Sequence, residues 1–278
     1  LCPLRLDRLR ADRLRSQRAH GRGRDPEGLI ERGSPVPAAG LPRPSRGSTL
    51  AALIPRLRRS NWVAACAFFI GGSLFALGAI VAQFGSGDAA TAASIYLVGG
   101  LFFTTGAYAA LLGAINTPSM GDSRIPTPAK PWSWWSYEPG RLAWLSAFVL
   151  FAGTLAFGIS LVDSFIRGLG THGVDRLIWR PEIAGCVLFL ISGHLAMRAI
   201  CHRARPCLRL RDLGWGISVV NQIGSVLFMI SAIAAFTRPE TGAELNVEIA
   251  NLGTFTGALC FAAGGVMQAF DRPRALSG

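Results

Sequence analysis

The chain has 278 residues, of which half are hydrophobic, only 16% are charged and 33 are glycine. This mixture is too apolar and too glycine-rich for an ordinary soluble domain and indicates a membrane protein. The formal net charge of +12 does not indicate nucleic-acid binding, because half of the 28 basic residues lie in the first 60 positions.

Residues 1–55 are rich in arginine, proline and glycine and lack sustained helical periodicity. We therefore predict a disordered cytoplasmic tail. Two interpretations of its charge remain open. It binds anionic lipid headgroups, or it is simply solvated.

Six later stretches are long and apolar enough to cross the hydrocarbon core of a bilayer, which takes about 20 helical residues. They are Trp62–Phe84, Ala92–Ile115, Leu142–Phe165, Ile183–Ile200, Gly214–Phe236 and Ala250–Phe270. We predict an all-α, polytopic membrane protein. The first stretch is too long for the apolar region of a signal peptide, so we expect it to be retained as a helix.

The spans form three pairs that share a sequence pattern. The first helix of each pair follows W-x8-G-x3-F-x2-[GS], and the second repeats its glycine and phenylalanine. The glycines are Gly71, Gly99, Gly153, Gly185, Gly224 and Gly257, and the phenylalanines are Phe75, Phe103, Phe157, Phe189, Phe228 and Phe261. The pattern predicts three parallel two-helix hairpin repeats around a pseudo-threefold axis. The repeats are residues 56–116, 142–203 and 204–272, with 117–141 as a cytoplasmic linker.

The spacing of the pattern places the glycine, the phenylalanine and the last small residue on one helix face. Small residues allow close approach of helices in lipid, and a phenylalanine fills the neighbouring groove. We interpret the pattern as helix packing. A repeated ligand-binding groove is the alternative.

Basic residues flank the spans mainly on the side of the N-terminus, which predicts that both termini are cytoplasmic. Trp62, Trp144 and Trp215 begin their helices on that side, where indole rings favour the lipid interface. We predict that these three residues are interfacial anchors. The linker tryptophans Trp132, Trp134 and Trp135 fit an interfacial segment, with an aromatic ligand site as the alternative.

Polar side chains inside the spans are the candidates for function. His194, Asn221 and Gln222 lie at similar depths, and Tyr108 aligns with His194 between repeats. Asn221 fits a hydrogen bond across a helix interface and His194 a structural histidine. The alternative is a ligand or proton path that includes all four side chains.

Several other polar residues have ordinary structural interpretations. Asp163 and Arg167 are one helical turn apart, which predicts an interfacial ion pair. Asn251 opens the last span, so we expect it to cap that helix.

The cysteine spacing does not indicate a disulfide framework, and the arginines around Cys201, His202 and Cys207 disfavour a metal site. No Walker, zinc-protease or serine-hydrolase motif occurs in the sequence. We expect no catalytic residues, no metal and no cofactor.

The last third of the chain resembles the YrhK-like family of small bacterial membrane domains. The resemblance rests on Trp215, Gly224 and Ser225 in the fifth span and on "ANLGTFTGALCF", Ala250–Phe261, in the sixth. It implies a multi-pass protein of the bacterial plasma membrane and brings no known catalytic residues. Mitochondrial carriers also have three two-helix repeats, but their P-x-[DE]-x-x-[KR] signature is missing from the corresponding segments.

These observations predict a non-enzymatic assembly or accessory component of a membrane complex, because packing residues are frequent and charges inside the spans are rare. Its expected partners are the lipid bilayer and either a second copy of the chain or another membrane protein. The alternative function is a small-solute or ion transporter or channel with a polar path near His194 and Gln222.

Overall fold

A computed structural model describes residues 46–85, 89–117, 132–201 and 207–271. Six helices, α1 to α6, account for most of these residues. They are α1 Arg46–Phe84, α2 Ala89–Asn116, α3 Leu142–Asp163, α4 Thr171–Cys201, α5 Leu213–Ala234 and α6 Val247–Phe270. Each contains a segment long and apolar enough to span a membrane. The prediction of an all-helical, multi-pass membrane protein is confirmed.

The helix boundaries differ most from the predictions at the starts of two helices. Helix α1 begins at Arg46, inside the stretch predicted to be disordered, whereas residues 1–45 of that stretch lie outside the described residues. Helix α4 begins at Thr171, well before the predicted start at Ile183, and includes a π-helical turn over Asp175–Trp179. The first part of α4 contains charged residues, so the hydropathy pattern does not indicate it. Such a pattern locates only the apolar section of a span.

The described helices form a closed ring. Each helix packs against the next one in the chain, and α6 returns to pack against α1. We call the end where α1 begins and α6 ends the near end, and the opposite end the far end. The ring arrangement gives every helix two neighbours and one face toward a common centre.

Six phenylalanines, one from each helix, fill that centre. They are the residues of the repeated pattern, Phe75, Phe103, Phe157, Phe189, Phe228 and Phe261, and the ring centroids of contacting pairs lie 5.2 to 6.3 Å apart. A void of about 10 Å³ remains among them. That is space for about one water molecule, so the phenylalanine cluster closes the middle of the ring.

The repeated glycines lie where consecutive helices cross. A Cβ atom added to one glycine of a pair would lie about 3 Å from the carbonyl oxygen of the other, tighter than most Cβ contacts in proteins. The pairs are Gly71 with Gly99 (3.0 Å), Gly185 with Gly153 (3.0 Å) and Gly224 with Gly257 (3.0 Å). The two backbones therefore approach each other closely at these crossings, which the missing side chain of glycine favours.

Hydrogen bonds from hydroxyl groups and amides join neighbouring helices on the near-end side of the phenylalanine cluster. Ser146 and Ser192 each donate a hydrogen bond to the other's carbonyl oxygen at 2.9 Å, between α3 and α4. Asn61 donates to the carbonyl oxygen of Gln268 at 3.0 Å and closes the ring between α1 and α6. In an apolar environment such bonds satisfy groups that water cannot reach.

The three predicted tryptophan anchors differ in their surroundings. Trp62 is 53% exposed, as an anchor requires, and Trp215 is partly exposed. Trp144 is only 1% exposed and stacks on Phe148, so its indole contacts protein rather than headgroups. The anchor interpretation is therefore wrong for Trp144, whose Nε1 donates to the carbonyl oxygen of Ser136.

The described part of the linker, residues 132–141, folds back on the near end of α2. The Asn116 amide donates to the carbonyl oxygen of Ser133 at 2.8 Å and accepts from the Ser133 backbone. Trp134 and Trp135 remain largely exposed. Residues 118–131 of the predicted linker lie outside the described residues.

A disulfide bond joins Cys201 and Cys207 at the near end. The cysteine spacing gave no indication of a disulfide framework, because spacing along the chain does not show which side chains lie close together. The Cα atoms of the pair are 5.6 Å apart, within the usual range for a disulfide. The arginine distribution predicts that the near end is cytoplasmic, and thiols in the cytoplasm are normally kept reduced.

Candidate functional site

A cavity of about 690 Å³ occupies the far end of the ring, above the phenylalanine cluster. All six helices contribute to its wall, and Phe75 and Phe157 form its floor, since these two rings also line the small central void. We call this cavity the vestibule. Its volume is typical of sites that hold small organic ligands.

Most polar groups in the vestibule wall present oxygen lone pairs. The hydroxyls of Ser160 and Ser164 donate to carbonyl oxygens of their own helix at 2.8 and 2.7 Å. Ser231 donates to the carbonyl oxygen of Ala250 at 2.6 Å, so its contact with the Thr254 hydroxyl at 2.7 Å makes Thr254 the donor. With their protons engaged, these hydroxyls are left with acceptor capacity toward a ligand.

Two carboxylates line the same cavity. Glu182 lies in the first turn after the π-helical segment of α4, and Glu244 lies on the connection between α5 and α6. Within the described part of the chain, Glu182 makes no hydrogen bond and no ion pair. The wall contains no described lysine, arginine or histidine. Burial raises the pKa of Glu244 above its ordinary value.

Local backbone structure brings Glu244 over the vestibule. The connection folds as a small hairpin in which Thr237 pairs with Glu244 and Leu245 donates to the carbonyl oxygen of Phe236 at 2.8 Å. Gly242 turns this hairpin with φ of +70°, a conformation that other residues rarely adopt. The hairpin thus returns the chain to the start of α6 with Glu244 beside the cavity.

The π-helical turn in α4 is fixed by contacts with α5. Trp179 donates from Nε1 to the carbonyl oxygen of Ala232 at 2.8 Å, and its ring packs on Phe236 at 4.9 Å. The turn supplies Ile178 to the vestibule wall, and Glu182 follows three residues after its end. Such π turns are frequently found at functional sites.

Asn251 does not cap α6 as predicted. The cap is Asn246, whose side chain accepts from the Ile249 backbone at 2.9 Å. Asn251 instead lines the vestibule and donates to Gln83 of α1 at 2.7 Å. The helix begins earlier than the hydropathy pattern indicated, so the asparagine at its true start fills the capping position.

The predicted pair of Asp163 and Arg167 is not formed, and no ion pair joins these two described residues. The helix α3 ends at Asp163, so the one-turn spacing that the pair needs is lost. A different far-end pair occurs within α4, where Arg180 lies 2.9 Å from Asp175. Arg180 does not line the vestibule.

The four polar side chains predicted to mark a path lie elsewhere. His194 is exposed on the outer surface of α4, and the Gln222 amide packs on Gly193 beside it. Asn221 packs on Gly264 of α6, and the Tyr108 hydroxyl donates to the carbonyl oxygen of Trp134 at 3.2 Å. None of them lines the vestibule or the central void.

Two of these side chains have incomplete hydrogen bonding. The amide oxygens of Asn221 and Gln222 are buried without a partner. Buried amide oxygens usually accept at least one hydrogen bond, and among the described residues these two have no donor.

Sequence analysis missed Glu182, Glu244 and Tyr96, which together line the vestibule. Glu182 directly precedes the predicted fourth span. Because charged residues in membrane spans are rare, a carboxylate at that position could have been recognised as a candidate functional residue. Nothing in the sequence pairs it with Glu244, since Glu182 lies on α4 and Glu244 on the connection between α5 and α6.

The described residues contain no group of three histidine, cysteine or acidic side chains that could hold a metal ion. Two carboxylates among hydroxyl oxygens favour instead a ligand that carries positive charge and hydrogen-bond donors. No family model, no curated protein and no solved structure matches this chain.

Proposed function

We propose that the vestibule binds a small organic cation and that the protein is a carrier for such solutes in a bacterial plasma membrane. The observation that carries this proposal is Glu182, a carboxylate without a hydrogen bond or ion pair to any described residue, in a cavity of about 690 Å³. An unpaired carboxylate removed from bulk water is costly unless a cation or a proton neutralises it.

The chemistry of the wall favours an ammonium group. An ammonium ion has N–H donors and no acceptor, and the hydroxyls of Ser160, Ser164 and Ser231 offer oxygen lone pairs. Glu182 and Glu244 supply the compensating charge. The apolar floor, formed by Phe75 and Phe157, fits a hydrocarbon substituent.

A carrier fits the ring better than an open channel. The phenylalanine cluster leaves about 10 Å³ at the centre, too little for a continuous aqueous path. Passage of a solute therefore requires the helices to separate at the cluster, as alternating access does. The proposed three hairpin repeats support this, because pairs of helices held together by glycine crossings can move as units.

We propose that the termini are cytoplasmic, so that the vestibule faces outward. The excess of arginine at the near end supports this orientation. Membership of the YrhK-like family and the absence of enzymatic activity remain proposals of the same kind.

The test compares three small molecules of similar size and different charge: butylammonium, butanol and butyrate. We expect butylammonium to bind to the purified protein in nanodiscs, measured by calorimetry, and the other two not to bind. Glu182→Gln removes the negative charge at nearly constant shape. We expect it to weaken butylammonium binding by about tenfold or more, in line with the loss of one buried charge-assisted contact.

Glu240→Gln is the control, because Glu240 is an exposed acid at the same end of the ring, on the hairpin that carries Glu244, and does not line the vestibule. It should bind butylammonium like the unmodified protein. Equal binding of butylammonium and butyrate, or an unchanged affinity in Glu182→Gln, would show that the carboxylates do not select the ligand.

Assembly with another membrane protein is a second candidate, and His194 favours it. This ionisable side chain is exposed on an apolar span, where contact with hydrocarbon is costly. A partner helix that covers His194 removes that cost. Native mass spectrometry of gently extracted protein tests this: a stoichiometric partner that is lost in His194→Leu supports assembly, and a lone chain contradicts it.

A further inference from the structure

A second cavity lies at the far end, on the outside of the ring between α1 and α6. Its volume is about 540 Å³, and its lining is mainly apolar. Ile80, Phe84 and Leu252 are exposed there on the outer surface of their helices. We call this cavity the lateral groove. Because the helices are apolar spans, the groove faces the position of the lipid chains.

The lateral groove and the vestibule share one wall. Asn251 lines both cavities, and the Gln83 side chain, which lines the groove, accepts a hydrogen bond from it at 2.7 Å. This side-chain contact lies between the vestibule and the lateral groove. A neutral hydrogen bond contributes only about 1 kcal/mol net, so thermal motion opens such a contact readily.

The seam between α1 and α6 is much tighter toward the near end. A Cβ atom added at Gly72 would lie 2.7 Å from the carbonyl oxygen of Ala258, and one at Gly265 would lie 2.8 Å from that of Ala65. Backbone contact of this kind cannot open without separating the helices. The far-end section is therefore the part of the seam at which a ligand can enter.

Charge in and around the two cavities selects the ligand. Glu248 lies at the lip of the groove, and Glu182 and Glu244 lie in the vestibule behind Asn251. No lysine, arginine or histidine lines either cavity among the described residues. A ligand that fits both has a hydrocarbon chain for the groove and a cationic head for the carboxylates.

We propose that the solute is a lipophilic amine that enters from the membrane through the α1–α6 seam. Its ammonium head passes between Gln83 and Asn251 to reach Glu182, while its alkyl chain lies in the lateral groove. This inference rests on the proposed function, because it takes the vestibule to be the cation site and adds the substrate class and the route.

The test uses a dodecylamine with a photoreactive diazirine at the end of its chain, incorporated into nanodiscs with the protein, and the corresponding alcohol as the matched neutral probe. Peptide mapping locates the labelled residues. We expect the amine to label the groove around Ile80 and Leu252, and butylammonium to compete with it. The alcohol should label lipid-facing residues all around the ring.

Leu252→Trp places a larger side chain in the groove, and Leu259→Trp is its control. Both leucines are exposed on α6, at 62% and 46%, but only Leu252 lines the groove. We expect Leu252→Trp to reduce groove labelling by about tenfold and to leave the affinity for butylammonium unchanged, since the vestibule is intact. The control should label as the unmodified protein does.

The outcomes separate the two proposals. Suppose that butylammonium binds in the vestibule, does not compete with the photoreactive amine, and binds more weakly to Leu252→Trp. Lateral entry is then wrong and the cation site stands. Labelling of the same pattern by amine and alcohol also overturns lateral entry. If butylammonium does not bind the unmodified protein at all, the proposed function is wrong and this inference fails with it.

Discussion

The crossing of α3 and α4 gives a quantitative prediction about Gly185. A Cβ atom at this position would lie 3.0 Å from the carbonyl oxygen of Gly153, 3.0 Å from Cβ of Phe157 and 3.1 Å from its backbone nitrogen. These three atoms belong to the backbone or are fixed to it, so no rotamer change relieves the contact. Gly185→Ala must therefore push the two helices apart.

Gly158→Ala is the matched variant. Gly158 lies on α3, and a Cβ atom there would have no neighbour within 4 Å. Both substitutions gain the same helix propensity, about 1 kcal/mol, so this gain cancels when they are compared. What remains is the cost of overpacking at Gly185, typically 1 to 3 kcal/mol. We expect Gly185→Ala to be about 2 kcal/mol less stable than Gly158→Ala.

Unfolding by SDS in mixed micelles, followed by tryptophan fluorescence, measures this difference in the free energy of unfolding. Trp144 is a suitable reporter because it is buried and stacked on Phe148. Equal stability of the two variants would refute the reasoning, since it would mean that the helices at this crossing are not in backbone contact.

Three further predictions concern the ends of the ring. Butylammonium affinity should fall as the pH is lowered, because binding needs the ionised Glu244 carboxylate. Burial raises the pKa of Glu244, so the loss of affinity should begin above the pH range in which carboxyl groups usually titrate. An affinity that does not change with pH would contradict this prediction. Asn246→Ala should lower the free energy of unfolding in SDS by about 1 kcal/mol, because the variant loses the helix cap. Asn251→Ala should lower the free energy of unfolding by less than half of that amount. The Cys201–Cys207 bond should appear in non-reducing peptide maps of purified, air-oxidised protein. If the near end is cytoplasmic, rapid alkylation in cells should trap both as free thiols, and a bond already formed in cells would contradict that orientation.

Much of the architecture could be predicted because it depends on local sequence. A run of apolar residues of the right length is sufficient for a span, and each of the six predicted runs corresponds to one helix of the structure. Errors occurred where polar residues belong to a helix. The first part of α4, with Asp175 and Glu182, and the start of α1 at Arg46 have no apolar signal. Hydropathy locates the buried section of a helix and not its ends.

Depth along a span could be predicted, but direction around the ring could not. His194 and Gln222 were selected because they are polar and lie inside their spans, yet His194 faces outward and Gln222 packs on Gly193. The sequence gives the angle of a residue relative to others on the same helix. It does not show which face meets the centre until the neighbours of that helix are known.

The vestibule could not be predicted for a related reason, because it exists only when the ring is closed. Its wall includes Tyr96 from α2, Glu182 from α4 and Asn251 from α6, residues far apart in the chain. The contact that closes the ring joins the first and last helices, and the hydrogen bond from Asn251 to Gln83 is part of it. The same packing of the first and last helices thus encloses the vestibule and separates it from the lateral groove. A ring closed there by glycine crossings, as at Gly72 and Gly265, would enclose the carboxylates but admit a ligand only from the far end.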